Sequence, residues 1–239
     1  MRAMLRYVSM AAFLLLSGQV GEAASLRVSP TTVHLIAPDS AATLDVSNEA
    51  GRPINVQIRV FRWTQEGGVD RLEPTTDVVA SPPAAELAAD ATYVVRVVRV
   101  AKAPVAKEES YRVVVDEVPD PRRRQAGAVS LVVRHSIPVF FRDADSSAAR
   151  VTWSLRPSGS SIVLVARNEG QSHLRLSDIV LSQDGRQFAG YEGLLGYVLE
   201  GSTMEWPIPL SGAPASGPVT LSAQTQAGPL NANISIVRR

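Results

Sequence analysis

The chain has 239 residues, of which 45% are hydrophobic and 5% aromatic, with no cysteine, and its 24 basic and 23 acidic residues leave a formal charge of +1. Without cysteine there is no disulfide framework, no thiolate nucleophile and no Cys-based zinc or iron–sulfur site, and the balanced charge gives no electrostatic case for nucleic acid or an anionic membrane as partner. The histidines, His34, His135 and His173, are far apart in sequence and form no ligand-spaced pair, so no metal site is expected.

In chain order, the first segment stands apart. Arg2 and Arg6 precede an apolar run from Val8 to Leu16, broken only by Ser9, and Gly21-Glu22-Ala23-Ala24 follows with small residues. That is the pattern of a secretory signal peptide, expected over residues 1–23, and its apolar run is about half as long as a membrane span requires. Without Arg2, Arg6 and Glu22, the remaining 22 basic and 22 acidic residues cancel.

Beyond Ala24 the chain reads with period two. Leu44 and Val46 alternate with Thr43, Asp45 and Ser47; Ile54, Val56, Ile58 and Val60 alternate with Asn55, Gln57, Arg59 and Phe61. Such alternation predicts strands with one face in a core and one in water. Further strands are expected at 92–100, 111–118, 129–142, 150–156, 162–166, 173–181, 194–199, 218–226 and 231–237. Turn signals separate them at Ala50-Gly51-Arg52-Pro53, Gly67-Gly68, Ser81-Pro82-Pro83, Asp184-Gly185 and Ala213-Pro214. No stretch sustains a helical period, and the pattern predicts an all-β protein of immunoglobulin-like β-sandwiches.

Arg142 to Ala149 is small and polar, and divides the chain into expected domains at 24–144 and 145–239. An internal echo supports the division. Val46-Ser47-Asn48-Glu49-Ala50 before Ile54-Asn55-Val56 resembles Ala166-Arg167-Asn168-Glu169-Gly170 before Leu174-Arg175-Leu176.

No nucleophile elbow, phosphate loop or dinucleotide fingerprint is present, so neither an enzyme nor a nucleotide or other cofactor is expected. The carboxylate pairs Glu108-Glu109 and Asp143/Asp145 flank turns and read as solvated. Arg122-Arg123-Arg124 lies in a charged stretch between strands and reads as a solvated loop, or as a docking loop for an acidic partner.

Residues 128–142 look wrong for a monomer. One face carries Val129, Leu131, Val133, His135, Ile137 and Val139; the other carries Ser130, Val132, Arg134, Ser136, Pro138 and Phe140. A long apolar edge strand invites aggregation unless a partner pairs with it, and one use of such an edge is to lend it to another chain. Self-association of the free protein through this edge is a further expectation.

At these residues the chain resembles a known family, the PapD-like periplasmic chaperones of chaperone–usher pilus assembly, and most of all the archaic, Csu-like branch. The resemblance rests on Ala42 to Asn48, on Pro82-Pro83 followed by Tyr93-Val94-Val95-Arg96-Val97, on Tyr111 to Pro119, and on Ser136-Ile137-Pro138-Val139-Phe140-Phe141-Arg142. It implies an L-shaped pair of immunoglobulin-like domains in the periplasm. The role it implies is to cap pilin subunits by strand donation and deliver them to an outer-membrane usher. By position, Val129, Leu131 and Val133 would be the donor residues, Glu117 and Arg142 would orient the two domains, and Arg96 would be structural. The better-known branch anchors the client's terminal carboxylate with an arginine and a lysine, but Thr31 and Pro138 stand at those positions here. Arg134, on the same strand face as Pro138, is the candidate replacement cation. The alternatives are a structural or adhesive pair of exported immunoglobulin-like modules and, more distantly, a small secreted hydrolase.

Overall fold

The computed structural model describes residues 26–119, 132–212, 217–234 and 236, and these fold entirely as strands and connecting turns. The alternating segments pair into four sheets, two in each half of the chain. In the first half, β1 (Leu26–Ser29), β3 (Ala41–Asn48), β8 (Thr92–Arg99) and β6 (Val78–Ser81) form one sheet in that spatial order. The facing sheet runs β2 (Val33–Ile36), β10 (Arg134–Arg142), β9 (Glu109–Val118), β4 (Ile54–Glu66) and β5 (Val69–Pro74), with β7 (Ala84–Leu87) on the first residues of β4. Leu44, Val46, Val95 and Val97 meet Ile58, Val113, Val115, Ile137 and Val139 in a buried core between them.

The second half repeats the plan. β11 (Val151–Ser158), β12 (Ser161–Asn168) and β15 (Thr203–Pro209) form one sheet; β14 (Arg186–Val198), β13 (Leu174–Gln183), β16 (Val219–Thr225) and β17 (Gly228–Ile234) form the other. Leu155, Ile162, Leu164, Leu176, Ile179, Leu181 and Leu221 fill the space between the two sheets. The molecule is thus all-β, built as two sandwiches.

The internal echo has a structural cause. Asn48 and Asn168 are both 1% exposed. The Asn48 amide donates to the carbonyls of Arg52, Leu87 and Ala88, and its Oδ1 accepts the Ala50 N–H. The Asn168 amide donates to Ser172 and Val198, and its Oδ1 accepts from Gly170 and Arg150. Each asparagine therefore closes its own turn and ties that turn to another segment, satisfying backbone groups that burial would otherwise leave unpaired.

Turn chemistry also acts as expected at two hairpins. Gly67 and Gly68 (φ +61° and +80°) join β4 to β5, and Asp184 and Gly185 (φ +48° and +76°) join β13 to β14. Two consecutive residues at positive φ are the twist-matched two-residue turn. The first of these hairpins reaches the second sandwich, where Gly68 bridges to Met204 on β15. The turn signal at Ala213-Pro214 lies outside the described residues.

The strand expected at 129–142 is described as β10 from Arg134, while residues 120–131 lie outside the described region. Pairing with β9 continues one step before it: the Glu117 N–H donates to the Val133 carbonyl at 2.9 Å. The sequence reading missed β5, β6, β7 and β15, and it saw only the end of β14.

Candidate functional site

β10 is paired on one side along its length and on the other only in part. Against β9 the register runs from Arg134↔Asp116 to Phe141↔Glu109, whereas parallel β2 covers only Val139 to Arg142. In the described sheet, Arg134 to Pro138 therefore form an open edge. Since Val133 bonds to Glu117, alternation turns the backbone groups of Arg134, Ser136 and Pro138 away from β9. Pro138 lacks its N–H on that outward side, so the β9 ladder loses nothing by it.

The side chains of β10 divide as alternation requires. Val133 packs half-buried against the first core, and Ile137, Val139 and Phe141 lie within it. Val129 and Leu131 lie outside the described residues, as do Arg122, Arg123 and Arg124. Arg134 is on the outer face, two-thirds exposed, and bonds through Nε to Asp116, which also holds Arg59 at 2.7 Å. Burial alone would raise the Asp116 pKa, but hydrogen bonds and charge from Arg134 and Arg59 hold it below the usual aspartate range. Arg134 is thus already matched within the fold. Thr31 is exposed just ahead of β2.

The cation that sequence reasoning missed is Arg112. It stands directly opposite Pro138 in the β9–β10 register, with its guanidinium 3.7 Å from the centre of the Trp63 ring and 5.3 Å from that of Tyr197. Among the described residues it has no carboxylate partner; its one hydrogen bond, at 3.4 Å, goes to the Ser136 carbonyl. Burial lowers its pKa, with Tyr197 and Asp70 acting in the opposite sense, and a guanidinium remains charged all the same. Beneath it, Trp63 is 2% exposed and its buried Nε1–H has no acceptor among the described residues. A cation held on aromatic faces, with no carboxylate partner among the described residues, is chemically suited to an anion. In the sequence, Arg112 reads simply as the polar member of an alternating strand; only the register reveals its position.

The two sandwiches meet just above this point. Trp63, Phe140, Tyr197 and Leu199 form a small buried cluster of their own. Gln65 acts there like a strand residue, its amide donating to the Tyr197 carbonyl and its oxygen accepting the Leu199 N–H, both at 2.9 Å. Glu108 Oε1 accepts from the backbone N–H and Nδ1 of His173, at 2.7 and 2.9 Å. Its neighbour Glu109 turns into the first sandwich and makes two 2.8 Å bonds with Arg99 and one of 2.9 Å with the Tyr111 hydroxyl. The reading of Glu108-Glu109 as solvated carboxylates is therefore corrected: Glu108 is 1% exposed and Glu109 18%. The cause is that the pair falls where the chain enters β9 between the two cores.

Arg142 and Glu117 are not brought together. Arg142 lines a cleft of about 410 Å³ between the sandwiches, with His34, Glu108 and His173. Glu117 lies beside Val133, eight residues along β9 from Glu109, or roughly 26 Å at strand rise. The carboxylates of Glu108 and Glu200 bridge the domains instead, Glu108 to His173 and Glu200 to the Glu108 N–H. Arg96 is exposed on β8, opposite Thr43 and Ser81. Among the described residues, no three His, Asp or Glu side chains gather as a metal site.

Comparison with known proteins places this geometry. Residues 25–145 match the family described as pili and flagellar-assembly chaperone, PapD N-terminal domain. Among solved structures, a chain of the CsuC–CsuE chaperone–tip adhesion subunit pre-assembly complex, from the archaic chaperone–usher Csu pili of Acinetobacter baumannii, is 25% identical. The match covers 90% of this chain and 100% of that one, with a TM-score of 0.68. The E. coli chaperone DraB is 23% identical over 88% of this chain and 97% of its own, with a TM-score of 0.61. A chain from the Salmonella enterica SafA pilin–SafB chaperone complex is 21% identical over 89% and 97%, with a TM-score of 0.62. No curated protein sequence matches. With half of the chain matched by the family model and both sandwiches shared with these structures, this chain belongs to the PapD-like pili-assembly chaperones of the chaperone–usher type.

Proposed function

We propose that this protein is a non-enzymatic periplasmic chaperone that caps pilin subunits by lending them the edge of β10, and then delivers them to an outer-membrane usher. The observation that carries this reading is the open edge of β10 from Arg134 to Pro138, bordered on its outer face by an arginine with no acidic partner among the described residues. An added strand from a client finds backbone donors and acceptors there. The family resemblance implies Val129, Leu131 and Val133, which share one face of the alternation, as the residues that enter the client's groove. The complexes found among the structural neighbours, of a chaperone with a tip adhesion subunit and with a pilin, support a subunit as partner. The domain division at 24–144 and 145–239, after a signal peptide over 1–23, belongs to the same reading. So does a role for Arg142 in the seam between the domains.

Arg112 is the residue we assign to the client's terminal carboxylate. Arg134 is engaged by Asp116, whereas Arg112 stands across from Pro138. The test is affinity capture of the tagged protein from cells assembling surface fibres. A small β-rich subunit should come down with wild type and be lost with Leu131→Arg. Equal recovery with both would remove strand donation. Recovery of nothing by wild type would favour a pair of structural or adhesive modules.

A further inference from the structure

Two of the chain's three histidines, distant in sequence, meet at the seam between the sandwiches. The rings of Phe140 on β10 and His173, just ahead of β13, stack with centroids 3.6 Å apart and planes 10° apart. His34, on the outward face of β2, stacks 5.3 Å from each of them. His173 is 5% exposed, and its Nδ1 lies 2.9 Å from Glu108 Oε1, which also accepts its backbone N–H. Glu108 is held in turn: its backbone N–H donates to Glu200 Oε2 at 2.9 Å.

His34 differs in being open to solvent. It lines the interdomain cleft, where a proton can reach it. The groups facing it come from three elements: His173 ahead of β13, Glu108 ahead of β9 and Arg142 on β10. Its pKa lies below the ordinary 6.5, first through partial burial and then through His173, with Arg142 adding to the effect and Glu108 opposing it.

We propose that this ring stack makes the seam between the domains acid-sensitive: neutral His34 lets the two sandwiches pack at one fixed angle, and protonated His34 places a cation against His173 in the cleft that Arg142 also lines, and loosens the contact. The sign follows from linkage. A histidine that binds its proton more weakly in the closed seam than in an open one favours closure fully above about pH 6.5, and that contribution is lost as pH falls below it. Between pH 5 and 8 histidine is the side chain whose ordinary titration falls in range, so the switch requires no other group. The property belongs to the free protein and goes beyond the chaperone reading, because it depends on no client.

The test is proton NMR of the purified protein from pH 8 to 5, with small-angle scattering on the same samples. Three histidines give three ring signals, which single substitutions assign. The His34 signal should titrate with a midpoint below 6.5, and the interdomain dimension should change with the same midpoint. Neither His34→Gln nor His34→Phe should show that change; the second keeps a stacked ring and removes only the proton site. His173→Gln should move the His34 midpoint back toward the ordinary value. A His34 midpoint at or above 6.5 would overturn the proposal. So would scattering that stays constant while His34 titrates, or a pH-dependent change that persists in His34→Phe.

Discussion

Arg112 and Pro138 face each other across β9 and β10, a cation without an acidic partner among the described residues opposite the residue that interrupts the strand's outer edge. The charge opposite Pro138 therefore sits one strand over, on β9, braced on Trp63 and Tyr197. A charge-assisted hydrogen bond contributes about 1.5–3 kcal/mol, so Arg112→Ala should weaken client capture roughly 10- to 100-fold. Arg112→Lys should restore part of that loss, while Arg134→Ala should change capture by less than about threefold, since Arg134 is an exposed partner of Asp116. Titration calorimetry with a purified subunit separates the three.

The paired asparagines should matter equally in the two halves. Asn48→Ala and Asn168→Ala each strand several buried backbone groups, and each should cost about 2–3 kcal/mol in denaturant midpoint analysis. Asn→Asp should fare no better, because a carboxylate cannot donate to the carbonyls that each amide now serves.

Acid should unfold the first sandwich through Glu109 and Asp116. Burial tends to raise the Glu109 pKa, but hydrogen bonds from Arg99 and Tyr111 outweigh it and keep the carboxyl below its ordinary value. A lowered carboxylate stabilises the fold above its unfolded pKa and loses that contribution as pH falls through the folded one. Stability should therefore drop below about pH 4.5. Glu109→Gln should flatten that slope and lower stability by about 3–5 kcal/mol at neutral pH, because it leaves a nearly buried Arg99 uncompensated. Circular dichroism melts across pH 3–7 read both effects.

Gln65 should set the interdomain angle rather than the stability of either sandwich. Gln65→Ala removes two bonds to the backbone at Tyr197 and Leu199 while leaving both main cores intact. Small-angle scattering should show a broader spread of interdomain dimensions with the denaturant midpoint of each half little changed.

Strands that bury one face, such as Ile54 to Val60 and Tyr111 to Val118, are legible in sequence because burial imposes period two. β5 is not, since every residue from Val69 to Pro74 is exposed and nothing imposes alternation. β14 hides for another reason: glycines at 193 and 196 interrupt its pattern at bulges where pairing with β13 shifts register. The same contrast governs the site. β10 announces itself through its own alternation, whereas Arg112, Glu108 and the His34–His173 stack depend on cross-strand register and on how two sandwiches meet. No spacing along the chain encodes those.

Amide hydrogen exchange on the captured complex tests strand donation most directly. With a subunit bound, the outward N–H groups of Arg134 and Ser136 should become protected together with those of residues 129–133, while the β9 amides stay as they are in the free protein. Exchange at Arg134 and Ser136 at the free rate, with the subunit still bound, would contradict donation of the β10 edge.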